Sequence, residues 1–164
     1  MTRLTVYTAA IAIAVWGAAC TSDSSTAPRK TEIDALRASL APYTSLALAR
    51  DAGYDAQLTD CMSNGDVGAM GIHFGKPALI DSSLDATHPE ILIYEPGPSG
   101  SASLVGVEFV VPFALVPESG PAPKLFGQRF IPNDVFGLWT LHVWTHRANP
   151  NGLFAQWNPR VHCS

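Results

Sequence analysis

The three cysteines of this chain constrain its fold more than any other feature. The sequence before the first cysteine indicates export, and exported proteins can form disulfides. Arg3 is followed by an apolar run from Leu4 to Ala19, which ends in small residues directly before Cys20. This is the layout of a secretory signal peptide. At about sixteen residues, the run is shorter than the roughly 20 that a transmembrane helix needs. We therefore predict that residues 1–19 are a signal peptide.

Cys20 stands where a bacterial lipoprotein carries its lipid. The segment resembles a lipobox with one departure, since Gly17 occupies the position where leucine is usual. The alternative is ordinary cleavage that leaves a free thiol. Residues 20–30 are predicted to be the lipidated cysteine and a flexible tether, because a Ser/Thr-rich stretch cannot bury enough apolar surface to fold. These features predict a membrane-anchored protein of the cell envelope, with a free secreted or periplasmic protein as the alternative.

Lipidation of Cys20 would leave Cys61 and Cys163 as a pair. Oxidising compartments allow such a pair to form a disulfide. This bond would close a loop of about 100 residues. By lowering the entropy of the unfolded chain, it would stabilise the folded state by up to about 4.7 kcal/mol. Two unpaired thiols are the alternative. His162 is the only candidate partner for a metal site built on these cysteines.

Residues 31–164 are predicted to form a single globular domain, since this length suits one hydrophobic core. The chain carries 10 basic and 14 acidic residues, a net charge of −4, without a basic cluster. That balance argues against nucleic acid as a partner. It also argues against electrostatic binding to anionic lipid headgroups.

One helix is predicted over residues 31–52, where apolar residues recur at three- and four-residue spacings. Thr31 and Asp34 approximate a capping box at its start, and Pro42 should kink the helix or split it into two. Strands are predicted at residues 69–74, 91–95, 104–111 and 138–147, and a long surface loop at residues 117–132. The fold class that follows is α+β: a helix on a small antiparallel sheet, with long loops and one disulfide.

Side-chain alternation gives two of the predicted strands an apolar face and a mixed face. Val105, Val107 and Phe109 share the apolar face of one strand, whereas Glu108 lies on its mixed face. His142 lies on the mixed face of the last strand. A face with apolar, acidic and imidazole groups is typical of a binding pocket.

Glu108 is the only charged residue of its strand, and glutamate is rarely buried without a partner. We predict that Glu108, His142 and His73 bind a small ligand. Two histidines and a carboxylate also form a recurring metal set. The same three residues are therefore candidates for binding a divalent metal ion, in a metal-dependent enzyme or a metal-binding protein.

Simpler interpretations stand beside these predictions. Glu108 could face solvent on a half-exposed sheet, and each histidine could bond to the backbone. No Gly-x-Ser-x-Gly elbow is present, so no catalytic nucleophile is predicted. A structural or assembly module of the envelope is a further alternative, with exposed aromatic residues and the loop at residues 117–132 as its contact surface.

Several short motifs follow one another from Gly53 to the last cysteine. They are Met70-Gly71-Ile72-His73-Phe74, Tyr94-Glu95-Pro96, Leu104-Val105-Gly106-Val107-Glu108-Phe109, Leu141-His142-Val143-Trp144 and Trp157-Asn158-Pro159. In this order they resemble a family of exported bacterial proteins of uncharacterised function. The resemblance covers nearly the whole domain and implies one exported domain. It implies no activity and assigns no functional residue.

Overall fold

The structure is a computed structural model that describes residues 26–163 of the chain. The predicted signal peptide, Cys20 and the first part of the predicted tether lie outside the described residues. Within residues 26–163, no helix is both long enough and apolar enough to cross a membrane.

The predicted helix is split in two around its proline. Helix α1 spans Thr26–Ser39, a 3₁₀ turn spans Ala41–Thr44, and helix α2 spans Leu46–Asp51. Pro42 lies in the first turn of the 3₁₀ segment, where its missing N–H would have no partner in any case. Gly53 follows α2 with a φ of +96°, a conformation that glycine adopts without strain.

The predicted start of the helix is wrong by five residues, since α1 begins at Thr26 and not at Thr31. Asp34 does not complete a capping box. Its carboxylate pairs instead with Lys30 at 2.6 Å and with Arg37 at 3.2 Å along the exposed side of α1. Pairs at these three- and four-residue spacings add only a few tenths of a kcal/mol each.

Nine strands follow within the described part of the chain, and all of their pairings are antiparallel. They are β1 (Ala56–Gln57), β2 (Met62–Ser63), β3 (Ala69–Gly75), β4 (Ile91–Pro96), β5 (Ala102–Pro112), β6 (Lys124–Leu125), β7 (Gln128–Arg129), β8 (Ile131–Asn133) and β9 (Leu138–Val143). Seven strands form one sheet in the order β1-β3-β4-β5-β9-β8, with β2 also paired to β3. The prediction of a mixed α+β chain with one main antiparallel sheet is confirmed.

Two predicted boundaries are corrected. The last strand ends at Val143 and not at Arg147, because the N–H groups of His146 and Arg147 both bond to the carbonyl of Val105 and turn the chain out of register. The predicted loop at residues 117–132 contains the β6–β7 hairpin and the start of β8. Pro132 fits in β8 because this strand lies at the edge of the sheet.

The helices cover one face of the sheet and form the main core. Leu36 and Leu40 of the helical segment are fully buried, and burial of each contributes about 1.5–3 kcal/mol. The chain breaks between α1 and α2, so α2 does not continue the three- and four-residue spacing of α1. Ala49 therefore faces this core, whereas Ala47 is exposed. The sheet side of the core includes Phe74, Leu92, Val107, Phe109, Trp139 and Leu141.

A bulge in β5 changes which residues share a face. The pairing of β4 with β5 shifts between Ile93 and Tyr94, so Tyr94 pairs with Leu104 and Val105 is the extra residue. Leu104 therefore joins the helix-side core, and Val105 packs on the opposite face. The prediction that Val105 shares a face with Val107 is wrong, because simple alternation fails at a bulge.

The C-terminal segment crosses the face opposite the helices. Val161 packs there against Ala69, Ile93 and Trp144, in a second and smaller apolar cluster. The predicted disulfide is confirmed, since Cys61 and Cys163 are bonded across 102 residues of sequence with their Cα atoms 5.6 Å apart. The bond ties the end of the chain to the segment just before β2.

Candidate metal centre

His73 of β3, Glu108 of β5 and His142 of β9 lie on the face of the sheet opposite the helices. Glu108 of β5 lies directly across from His142 of β9 in the strand pairing. On its other side Glu108 pairs with Ile91 of β4, and His73 of β3 pairs with Ile93, two residues along the same strand. Residues that alternate in this way point to one face, so the three side chains converge across four neighbouring strands.

The three side chains form a buried cluster. One ligating atom from each of His73, Glu108 and His142 lies within 4.8 Å of the other two. His73 Nε2 is 3.6 Å from Glu108 Oε2, and His142 Nδ1 is 3.5 Å from Glu108 Oε1. These separations exceed the 2.7–3.2 Å typical of an N–H···O hydrogen bond. The cluster is therefore close enough to share an ion but is not closed by strong hydrogen bonds of its own.

Neighbouring side chains fix the orientation of both imidazole rings. Thr59 Oγ1 lies 2.9 Å from His73 Nδ1, which leaves Nε2 directed at the carboxyl group. The His142 ring stacks on Trp144, with centroids 6.3 Å apart and planes at 20°. Gly106 makes room for this arrangement, because a Cβ at that position would lie 2.8 Å from the Val143 carbonyl and 3.3 Å from the Trp144 ring.

Burial changes the pKa of every member of the cluster. Desolvation raises the pKa of Glu108 to about 8, with a smaller contribution from the charge of Glu90. Desolvation lowers the pKa of His73 to about 4. It lowers the pKa of His142 to about 3, with a smaller contribution from His73. Burial therefore favours the neutral form of all three groups when no ion is bound, and the neutral imidazole is the form that binds metals.

A cavity of about 610 Å³ lies against the cluster. His73, Glu108 and His142 are buried at its floor, whereas other lining residues are open to solvent and mark its mouth. The exposed fractions are 86% for Val135, 52% for Phe136 and 43% for Leu58. The volume falls within the range of about 300–1,000 Å³ that is usual for small-molecule sites.

A smaller cavity of about 180 Å³ shares His142, Thr140 and Gln156 with the large one, and Arg129 also lines it. His142 Nε2 is buried and has no hydrogen-bond partner within the described part of the chain. Leaving such a group unpaired costs about 1–3 kcal/mol. His142 therefore has a buried ring nitrogen, on the side of the ring away from Glu108, that a hydrogen-bond partner such as a water would stabilise.

The structure brings together the three residues that the sequence singled out. The interpretation of Glu108 as a solvent-facing residue is wrong, because only 7% of its surface is exposed. His73 lies on strand β3, and its pairing with Ile93 of β4 places it on the same face as Glu108. That these residues bind a ligand or a metal stays a prediction.

Sequence reasoning missed Thr59, which supports His73. Thr59 lies in an irregular segment, and nothing in its surroundings indicates a contact with His73. Alternation does predict that Trp144 shares the mixed face with His142, because it lies two residues later in the predicted strand. Residues 134–136, which line the mouth of the cavity, lie outside every element predicted from the sequence.

Comparison with protein families, curated proteins and solved structures finds no match for this chain.

Proposed function

We propose that the domain binds a divalent transition-metal ion through His73, Glu108 and His142. The observation that supports this proposal is the convergence of three buried metal-ligating side chains within 4.8 Å of one another at the floor of a cavity. Proteins seldom bury a carboxyl group and two imidazoles together without a partner that compensates for the lost hydration. A metal ion would supply that compensation.

Zinc suits the spacing of the cluster. Two ligands each about 2.1 Å from a tetrahedral zinc ion lie about 3.4 Å apart, against about 3.0 Å for neighbouring ligands of an octahedral ion. His73 Nε2 lies 3.6 Å from Glu108 Oε2, and His142 Nδ1 lies 3.5 Å from Glu108 Oε1. Each separation is near the tetrahedral value, but the two are made to different oxygens of the carboxyl group. The two imidazoles would need to close from at most 4.8 Å, which is a small rotation of either ring.

The hydrogen bond made by the other ring nitrogen of His73 also favours a metal. Histidines that bind a metal commonly use their other ring nitrogen in a hydrogen bond that fixes the ring. His73 has this arrangement, with Nδ1 on the Thr59 hydroxyl and Nε2 on the cluster. Three protein ligands leave a coordination position open, which is typical of metal sites that bind a substrate or ligand. The position would open into the cavity.

Calorimetric titration of Zn²⁺ into the purified protein, freed of metal and with its disulfide intact, tests the proposal. We expect one ion to bind per chain. Glu108→Gln keeps the shape of the side chain but removes the anionic ligand, so zinc binding should weaken by more than about 100-fold. His88→Gln is the matched control, because His88 is exposed and lies outside the cavity.

Two results would refute the metal site. One is failure of the wild-type protein to bind zinc, and the other is unchanged affinity in the Glu108→Gln variant. Circular dichroism spectra of both variants establish that any loss of affinity does not come from unfolding.

We further propose that the chain is exported and anchored to a membrane by a lipid on Cys20. The Cys61–Cys163 bond supports this proposal in two ways: it suits an oxidising compartment, and it accounts for the two other cysteines of the sequence. Mass spectrometry of the N-terminal peptide from a bacterial host should find a diacylglyceryl group on Cys20.

Two variants sharpen the test of the anchor. Cys20→Ser should move the protein from the membrane fraction to the soluble fraction. Gly17→Leu, which supplies the residue usual in a lipobox, should increase the processed share. An unmodified N-terminal Cys20 would show ordinary cleavage and contradict the anchor.

A further inference from the structure

The walls of the large cavity differ from its floor. The walls are mostly apolar and include Met62, Met70, Ile80, Ile91, Leu138 and Trp157. The floor holds the cluster of His73, Glu108 and His142. A ligand that fills this space therefore buries a hydrocarbon or aromatic body against the walls and places one polar end on the floor.

The charged residues around the cavity indicate which polar group the bound ligand would carry. Among the described residues that line it, two are acids, Glu108 and Asp134, and none is a lysine or an arginine. A divalent ion bound by one carboxylate keeps a single net positive charge. That ion would be the source of positive charge on the floor, where burial reduces screening by solvent. Asp134 is exposed at the mouth, where water and salt weaken its effect.

We propose that the cavity binds a small amphipathic acid, with its carboxylate on the open coordination position of the metal and its apolar body along the cavity walls. This inference rests on the proposed metal site and goes beyond it, because it names the class of ligand. A ligand with an ammonium group in place of the carboxylate would be repelled by the bound ion. A short acid would lack the contacts with the walls.

Octanoate, acetate and octylamine are suitable probes. Each buried methylene improves binding about fourfold, so octanoate should bind the zinc-loaded protein at least about 100-fold more tightly than acetate. Octylamine should not compete with octanoate. Removal of zinc with a chelator should lower the affinity for octanoate by at least about tenfold, because the octanoate carboxylate loses the cation that binds it.

Variants at the mouth separate the ligand from the metal. Val135→Ser combined with Phe136→Ser should lower the affinity for octanoate, because both side chains are apolar and line the mouth of the cavity. The affinity for zinc should stay unchanged, because neither residue is a ligand of the ion. Leu115→Ser is the matched control. Leu115 is 53% exposed, close to the 52% of Phe136, but does not line the cavity.

The outcomes distinguish this inference from the metal site. If zinc binds but octanoate binds no more tightly than acetate, the amphipathic acid is wrong and the metal site stands. If octanoate binds equally well without zinc, or to Glu108→Gln, the carboxylate does not use the ion and the inference is overturned. If zinc does not bind, both proposals fall.

Discussion

Replacing Glu108 by glutamine is expected to stabilise the metal-free protein at neutral pH. The free carboxyl group has a pKa near 4.5, whereas desolvation in the folded protein raises the pKa of Glu108 to about 8. Below pH 4.5 the group is protonated in both the folded and the unfolded state. Between pH 4.5 and 8 the unfolded chain ionises and the folded chain does not, so the free energy of unfolding falls as the pH rises.

The size of the effect follows from these two pKa values. Each pH unit within the interval changes the free energy of unfolding by about 1.4 kcal/mol. Glu108 therefore lowers the free energy of unfolding by about 1 kcal/mol at pH 5 and by about 3 kcal/mol at pH 7. Glutamine has the same shape and no charge to lose. Glu108→Gln should consequently exceed the wild type in stability by these amounts, with a difference that grows with pH.

Urea unfolding at pH 5, 6 and 7 with a chelator present measures the difference directly. Both proteins share the lowered pKa values of His73 and His142, which destabilise the folded state below pH 6.5, so this contribution cancels in the comparison. Glu118→Gln, at an exposed position, is the control and should stay within about 0.5 kcal/mol of the wild type.

Zinc should remove most of this difference at pH 7. At 100 times its dissociation constant, zinc stabilises the wild type by about 2.7 kcal/mol, whereas a variant that binds at least about 100-fold more weakly gains at most about 0.4 kcal/mol. The reasoning is refuted if the variant is less stable than the wild type at pH 7 in chelator. It is equally refuted if the difference between the two proteins is the same at every pH.

Three further predictions test the support of the site and of the fold. Thr59→Val removes the hydrogen bond to His73, so zinc affinity should fall about 10–100-fold by calorimetry, and a change below twofold would contradict the role of Thr59. Leu36→Ala should lower the free energy of unfolding in urea by about 2–5 kcal/mol and leave zinc affinity unchanged, because this side chain lies in the helix-side core. Replacing Cys61 and Cys163 by serine should cost about 2–5 kcal/mol in the same assay, and a loss below about 1 kcal/mol would show that the bond contributes little.

The mixed face of the sheet was accessible to sequence reasoning because alternation is a local property. Glu108 stands between Val107 and Phe109, which face the helix-side core, so its own direction follows from one residue of offset. The same offset places His142 between Leu141 and Val143. Strand parity alone therefore predicts that Glu108 and His142 share a face, and the pairing of β5 with β9 places them opposite each other.

Other features depend on pairings that are distant in sequence. The bulge at Val105 is set by how β5 meets β4. Gly106, directly after it, is a local sign of the bulge, because glycine inside a strand often marks one, but it does not fix which residue is extra. Strand β8 contains Pro132 and reads as loop, yet it pairs with β9 at the sheet edge. Thr59 reaches His73 only because β1 and β2 both fold back on β3. Such contacts are determined by the assembled sheet, and local propensity carries little information about them.

The wide spacing of the three candidate ligands along the chain has a consequence for how a metal would be acquired. Residues 73, 108 and 142 come from strands β3, β5 and β9, with about 35 residues between neighbours. In an unfolded chain, such separations correspond to roughly 30 Å or more, so no chelate exists before the sheet is complete. Loading would then follow folding and take place in the compartment where the folded chain resides. Since divalent ions compete by intrinsic affinity and by supply, the metal content would report the ions available in that compartment.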